Sequence, residues 1–173
     1  MIPPGFEQLK CIANIAGQSC FGCGQNNAIG LRMHFKTDDS KVYSRVAVPA
    51  AMAGWDATVH GGIISTMLDE IMGWSVIYLL GKIGVTKTMT VTFMKPISVE
   101  EELTVIGSVQ QVQTGRQVLV TGEIYNAGNV LCAKASGEFA SMTPQAAVRL
   151  GVMSPAYMER FVPILEQSPG RKI

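Results

Sequence analysis

Residues 60–80 read HGGIISTMLDEIMGWSVIYLL, a long apolar segment with one histidine at its start and two carboxylates near its middle. As a helix it would be roughly 30 Å long. Apolar side chains occupy nearly every side of its helical wheel, which predicts a helix that is buried all round. A bilayer could bury it, but Asp69 and Glu70 at mid-span would each cost roughly 2.5 to 3.5 kcal/mol there. We therefore expect a curved sheet from the same chain to surround this helix.

The rest of the chain contains the strands that such a sheet needs. Period-two alternation predicts a hairpin from residues 31–36 and 41–48 before the helix. After the helix it predicts strands at residues 85–94, 103–113, 117–125 and 130–141, with hairpin turns at Thr114-Gly115 and at residues 126–129. This pattern predicts an α+β fold, in which five or six antiparallel strands form a curved sheet wrapped around one long central helix.

The two ends of the chain show short helical patterns. Residues 6–15 are expected to form a short helix. Thr143 and Ser154 each precede a proline, which predicts two short helices with hydroxyl N-caps, and residues 168–173 are expected to be frayed. Nothing in the composition marks a linker, so we expect residues 1–173 to form a single domain. Its core would span about 20–142, with a short helical extension over 143–173.

Composition limits the classes of partner. The chain is 47% hydrophobic and 16% charged, with a net charge of +1, which is typical of a globular domain. No basic face or run is visible, so we expect no nucleic-acid partner. Residues 1–4 lack the basic start and apolar run of a secretory signal, and a cytoplasmic protein with reduced cysteines is expected.

A Cys-x-x-Cys pair, Cys20 and Cys23, has a spacing that metal ligands use. A structural zinc site usually needs four ligands, and only Cys11 and His34 lie near the pair in sequence. His34 shares its strand face with basic residues, which predicts a solvent-facing side chain. We therefore expect a packed, turn-rich loop here, and no metal or other cofactor.

The start and middle of the central helix carry the candidate chemistry. An ionised carboxylate inside a buried helix is costly unless it has a partner, so Asp69 is predicted to be the working group. The longer Glu70 is expected to reach outward. Gly61 and Gly62 would leave backbone N–H groups open at the positive end of the helix, where an oxyanion can bind. Together with His60, these groups are suited to acyl chemistry, with donors for a carbonyl oxygen and a base for water.

The run Val59-His60-Gly61-Gly62, followed by Asp69 and Glu70, resembles the signature of hotdog-fold acyl-CoA thioesterases, in particular the phenylacetic-acid-pathway-like group. Residues 20–24 (CFGCG) are similar to the opening of one branch of that group, and residues 93–96 (FMKP) are similar to the strand after its helix. The resemblance spans roughly residues 20–142. Some members have asparagine six residues before the histidine, where this chain has Gly54.

The resemblance implies a hotdog fold that forms a homodimer, or a homotetramer, with active sites at the subunit interface. It also implies hydrolysis of an acyl-CoA thioester to free acid and CoA. Asp69 would be general base or nucleophile, His60 would lie near the thioester carbonyl, and the Gly61 and Gly62 amides would polarise it. Thr86 would hold the attacking water. Strand parity, however, places Thr86 on the face of Thr88, so a β-bulge or a partner subunit is needed to bring it into the site.

Three residues are candidates for contacts with the substrate, and two alternative functions remain open. Trp55 is expected to shape the acyl pocket, and Lys95 and Arg116 to meet the phosphates of CoA. One alternative is a hotdog enoyl-CoA hydratase or dehydratase that uses Asp56 with His60. The other is a non-enzymatic module that binds acyl-CoA without turnover.

Overall fold

A computed structural model of the chain describes residues 5–113 and 116–172. The strands are β1 (Lys10–Ile12), β2 (Phe35–Thr37), β3 (Val42–Ala47), β4 (Ile83–Phe93), β5 (Glu102–Val112), β6 (Gln117–Tyr125) and β7 (Leu131–Met142). The helices are α1 (Gly61–Leu80), α2 (Pro144–Arg149), α3 (Pro155–Met158) and α4 (Val162–Glu166). All strand pairings are antiparallel, and the sheet order is β1-β2-β3-β5-β6-β7-β4.

The predicted arrangement of a sheet around one central helix is confirmed. Helix α1 contacts strands β3 to β7. Only Gly62 among its twenty residues is exposed. The α1 residues with no exposed surface are Met67, Leu68, Ile71, Met72, Ser75, Val76 and Tyr78. By length and composition alone α1 could cross a membrane, but here the sheet and loops cover it.

Local signals in the sequence explain where α1 begins and ends. His60 is the N-cap, and its Nδ1 accepts a hydrogen bond of 2.9 Å from the Gly62 N–H. Gly81 ends the helix at φ 62°, a left-handed conformation that glycine adopts without a steric cost. Gly107 of β5 allows the sheet to approach α1 closely, because a Cβ there would lie 2.7 Å from the carbonyl oxygen of Ile71.

The predicted meander after α1 is also confirmed, as β5, β6 and β7 pair in sequence order. The turn at residues 126–129 joins β6 to β7. The predicted turn at Thr114-Gly115 lies outside the described residues. Strand β4 does not pair with its neighbour in sequence but with β7, so β4 forms one edge of the sheet.

Two expectations for the first 40 residues are wrong. Residues 6–15 contain a 3-10 turn (Phe6–Gln8) followed by β1, which pairs with β2 and makes a seventh strand. Residues 31–34 are not in the sheet, because Arg32 has φ 50° and because Leu31 and Met33 donate their N–H groups to the cysteine loop instead. The hairpin of β2 and β3 itself is confirmed.

The C-terminal segment forms the short capped helices that the sequence predicted. The Thr143 and Ser154 side chains accept hydrogen bonds from the backbone N–H groups of Ala146 and Tyr157. The expectation of frayed residues from 168 onward is wrong for the described part. Ser168 is 1% exposed, and a Cβ on Gly170 would lie 2.6 Å from the carbonyl oxygen of Leu79, so this segment packs on the end of α1.

Candidate active site

A hydrogen bond between Asp69 on α1 and Thr86 on β4 is the centre of the candidate site. Thr86 Oγ1 donates to Asp69 Oδ1 over 2.7 Å. The pairing of β4 with β7 shifts register between Thr86 and Thr88, which marks a β-bulge at Lys87. A bulge adds one residue and reverses the side-chain parity of what precedes it. Thr86 therefore turns toward α1, while Thr88 remains exposed on the outer side.

Both neighbouring carboxylates of α1 are partly buried, and Glu70 does not lie where it was expected. Glu70 was expected to reach outward, but it points into the cysteine loop, where it accepts a hydrogen bond of 3.0 Å from Trp74 Nε1. Cys20 Sγ lies 3.5 Å from the same carboxylate. Asp69, one position earlier on the helix, faces β4 and is partly buried. Glu70 does not reach solvent freely, because the loop at residues 18–24 covers its side of α1.

The cysteine loop holds two thiols in different environments. Hydrogen bonds from the Cys23 side chain and from the Cys23 and Gly22 backbone N–H groups lower the pKa of Cys20 to about 5. Its hydrogen bond to Cys20, together with burial, raises the pKa of Cys23. Burial, and then the charge of Cys20, raises the pKa of Glu70 to about 7.

These groups line one cavity of about 230 Å³. Asp69 and Thr86 form one side of it, and Cys20, Cys23 and Glu70 form another. The C-terminal helices contribute Tyr157 and Phe161 to the wall, and the Tyr157 hydroxyl donates to Gln18 Oε1 over 3.0 Å. Sequence reasoning missed Glu70, Cys20, Cys23 and Tyr157 as members of one site, because they come from three segments that lie far apart in the chain: the cysteine loop, the middle of α1 and α3.

The start of α1 lies apart from this cavity. His60 is exposed and its Nδ1 already accepts the Gly62 N–H, so Gly62 is engaged in capping the helix. The Gly61 N–H has no acceptor among the described residues. Eight residues separate Gly61 from Asp69, which corresponds to about 12 Å along a helix. Within one chain, therefore, the structure does not bring His60 and Gly61 together with Asp69 and Thr86.

The predicted substrate contacts are divided between the same two places. Trp55 is 90% exposed beside His60 and Gly61. Lys95 lies in a groove next to Gly61 that Phe93 also lines. Arg116 is exposed at the other end of the sheet, where its carbonyl oxygen accepts from the Ser141 N–H, and Ser141 pairs with Gly84 of β4.

Among known proteins, the family model described as the thioesterase superfamily matches residues 56–133, which contain α1 and the strands up to the start of β7. An uncharacterized protein of Schizosaccharomyces pombe is 34% identical over 93 residues, which are 51% of this chain and 53% of that protein. The chain thus spans about half the length of that relative.

Solved structures of similar fold have hotdog architecture and confirm the predicted fold class. A thioesterase superfamily protein has a TM-score of 0.67 at 25% identity, over 76% of this chain and 66% of that chain. A hypothetical thioesterase from Streptococcus pneumoniae, solved with coenzyme A, has a TM-score of 0.56 at 24% identity, over 60% and 82%. Two further structures of the streptococcal protein carry alanine in place of an aspartate or of a threonine.

The group that the sequence resembles is also represented among these structures. PaaI, from the phenylacetic acid degradation operon of E. coli, has a TM-score of 0.56 at 21% identity, over 60% of this chain and 78% of that chain. This likeness shows a shared fold.

Proposed function

Because the thioesterase superfamily model matches residues 56–133 and a thioesterase superfamily protein shares the fold, we propose that this chain hydrolyses an acyl-CoA thioester to a free acid and CoA. The observation that carries the proposal is the hydrogen bond of 2.7 Å between Thr86 and Asp69 on the wall of a cavity. The streptococcal thioesterase was solved as variants at the same two residue types. A thioesterase of that family with bound coenzyme A supports CoA as the carrier.

Asp69 would activate the water or attack the thioester itself. Thr86 orients the carboxylate by donating to Oδ1, which leaves Oδ2 to accept a proton from the attacking water. Attack on the carbonyl carbon then breaks the C–S bond, and the proton passes to the departing CoA thiolate. In the nucleophilic route Asp69 forms a mixed anhydride, which water hydrolyses to the same products.

The N–H donor that stabilises the oxyanion must lie near the thioester carbonyl. The Gly61 N–H at the start of α1 is the open donor, and His60 fixes the turn by accepting from Gly62. Reacting groups must lie roughly 3 Å apart, whereas Gly61 and Asp69 of one chain are about 12 Å apart along the helix. We therefore assign the oxyanion donor at each Asp69 to Gly61 of the partner subunit in a homodimer.

The edge strand β4 offers the surface for this dimer. Val85 is 41% exposed and Phe93 is 55% exposed, one near each end of β4. An open strand edge with exposed apolar side chains is a ready site for pairing with a second copy. Two-fold pairing of β4 with β4 would bring the Phe93 end of one protomer to the Val85 end of the other. Phe93 lies in the same groove as Gly61, and Val85 precedes Thr86, so this pairing would complete two sites.

The same pairing would gather the candidate substrate contacts. Lys95 follows Phe93 at one end of β4, and Arg116 lies beside the other end. In the dimer, Lys95 of one protomer and Arg116 of the other would flank one entrance and meet the phosphates of CoA. Trp55, beside the Gly61 groove, would cover the bound acyl group or the adenine.

The experiment that tests this function is incubation of the protein with a panel of acyl-CoA and enoyl-CoA esters. Release of free CoA thiol by the wild type, together with its loss in Asp69→Asn, would support thioester hydrolysis. Hydration of the enoyl-CoA without thiol release would instead support the hydratase alternative. Tight binding of acyl-CoA with neither reaction would support a binding module.

A further inference from the structure

The loop at residues 18–24 and the middle of α1 bring three ligand atoms of a kind that zinc prefers into one place. The Sγ atoms of Cys20 and Cys23 and a carboxylate oxygen of Glu70 all lie within 4.8 Å of one another. Cys20 Sγ lies 3.5 and 3.7 Å from the two carboxylate oxygens of Glu70. A tetrahedral ion with bonds of about 2.3 Å to sulfur and 2.1 Å to oxygen separates those two ligands by about 3.6 Å.

From this geometry we propose that Cys20, Cys23 and Glu70 bind one Zn²⁺ ion, with a water molecule as the fourth ligand on the side of the cavity. This site goes beyond the proposed hydrolysis and does not depend on it. Both sulfur ligands bind the ion as thiolates, so any proton that they still carry passes to solvent as the ion binds. The soft sulfur ligands favour zinc over magnesium or calcium.

The charge of Glu70 supports the assignment. It is partly buried, and none of the ion pairs among the described residues includes it. Its polar neighbours are the Trp74 indole N–H and the two cysteines. A carboxylate in such a place is costly when ionised and lacks a counter-charge. A divalent cation would supply that charge.

Groups around the sulfur atoms are also arranged as they are around metal-bound thiolates. Cys23 Sγ accepts N–H bonds from Gln18 Nε2 over 2.8 Å and from Trp74 Nε1 over 3.4 Å. The Tyr157 hydroxyl in turn donates to Gln18 and fixes its amide. Such outer contacts orient the ligands of a metal site and stabilise their charge.

Two glycines of the loop are explained by this close approach. A Cβ on Gly22 would lie 2.6 Å from Glu70 Cδ, so only glycine lets the carboxylate reach the two cysteines. A Cβ on Gly24 would lie 2.5 Å from the carbonyl oxygen of Cys20, so glycine is needed for the turn that folds Cys23 back toward Cys20.

The test is a metal titration of the reduced full-length protein, prepared without a metal-affinity step and stripped with a chelator. We expect one equivalent of Zn²⁺ to bind per chain. Co²⁺ should give the d–d bands of a tetrahedral site together with a thiolate charge-transfer band. Cys23→Ser should weaken binding by at least ~100-fold, because even the loss of an outer contact costs 10- to 100-fold. Cys132→Ser removes a buried cysteine outside the group and should leave binding unchanged.

A second measurement keeps the test decisive if Cys23→Ser does not fold. In the wild type, bound Zn²⁺ should protect Cys20 and Cys23 from alkylation while the exposed Cys11 remains reactive. Well below one equivalent of bound metal, or equal alkylation with and without Zn²⁺, would overturn the proposal. So would isolation of the pair as a Cys20–Cys23 disulfide whose reduced form binds no metal. These outcomes are independent of thioesterase activity.

Discussion

Replacing Thr86 by valine removes one hydroxyl and tests whether the bulge positions a catalytic hydrogen bond. In the structure that hydroxyl donates to Asp69 over 2.7 Å. A hydrogen bond to a charged group contributes about 1.5 to 3 kcal/mol. If the full contribution acts in the transition state, kcat/KM should fall roughly 10- to 150-fold. Because Asp69 would be less well oriented but still present, some activity should remain.

A double-mutant cycle separates this role from a general loss of stability. Asp69→Asn alone should reduce kcat/KM by at least ~100-fold. Adding Thr86→Val should cost little more, because the carboxylate whose reactivity the hydroxyl supports is already absent. Thr88→Val is the matched control, since Thr88 is exposed on the same strand beyond the bulge, and it should retain wild-type rates. The assay is CoA thiol release, with circular dichroism to verify folding. If the losses in kcat/KM from the two substitutions multiply in the double variant, the Thr86 hydroxyl does not act through Asp69. A Thr88→Val defect equal to that of Thr86→Val would contradict the same claim.

Three further predictions address packing, substrate binding and assembly. Gly107→Ala should lower the free energy of unfolding by about 1–3 kcal/mol, because its Cβ would overlap Ser75 on α1. Urea denaturation measures this free energy, and the control Gly128→Ala, in a surface turn, should change it little. Trp55→Ala should raise KM several-fold without changing the melting temperature, since the side chain is exposed; an unchanged KM would remove it from the substrate site. Val85→Glu should convert the proposed dimer into monomers in analytical ultracentrifugation and abolish turnover, whereas a variant that remains dimeric would place the interface elsewhere.

The sequence predicted the fold because its decisive element carries strong local signals. An apolar segment of twenty residues, ended by Gly81, indicates a helix that is buried all round, and its two carboxylates favour burial in a sheet over a bilayer. Burial also alternates regularly along β6. The sequence did not predict β1, because that strand forms only by pairing with β2. The pairing joins residues 10 and 37, and local periodicity does not reveal contacts between residues so far apart in the chain. Residues 31–34 alternate as a strand would, yet Arg32 turns them toward the cysteine loop.

The candidate site could be predicted only in part. Asp69 was predicted from the cost of burying its charge within the helix. Thr86 was identified through a resemblance, and the parity of β4 indicated that a bulge or a partner subunit would be needed to bring it into the site. The bulge at Lys87 meets that requirement, although nothing in the sequence fixes its position. The environment of Glu70 could not be predicted, because the loop that covers it lies about fifty residues earlier in the chain.

The most direct test of the central claim is the rate of CoA thiol release by Asp69→Ala, measured against the wild type on the best substrate of the acyl-CoA panel. We expect a fall of at least ~100-fold in kcat, with the circular dichroism spectrum and the oligomeric state unchanged. Turnover by Asp69→Ala at a rate near that of the wild type would contradict it.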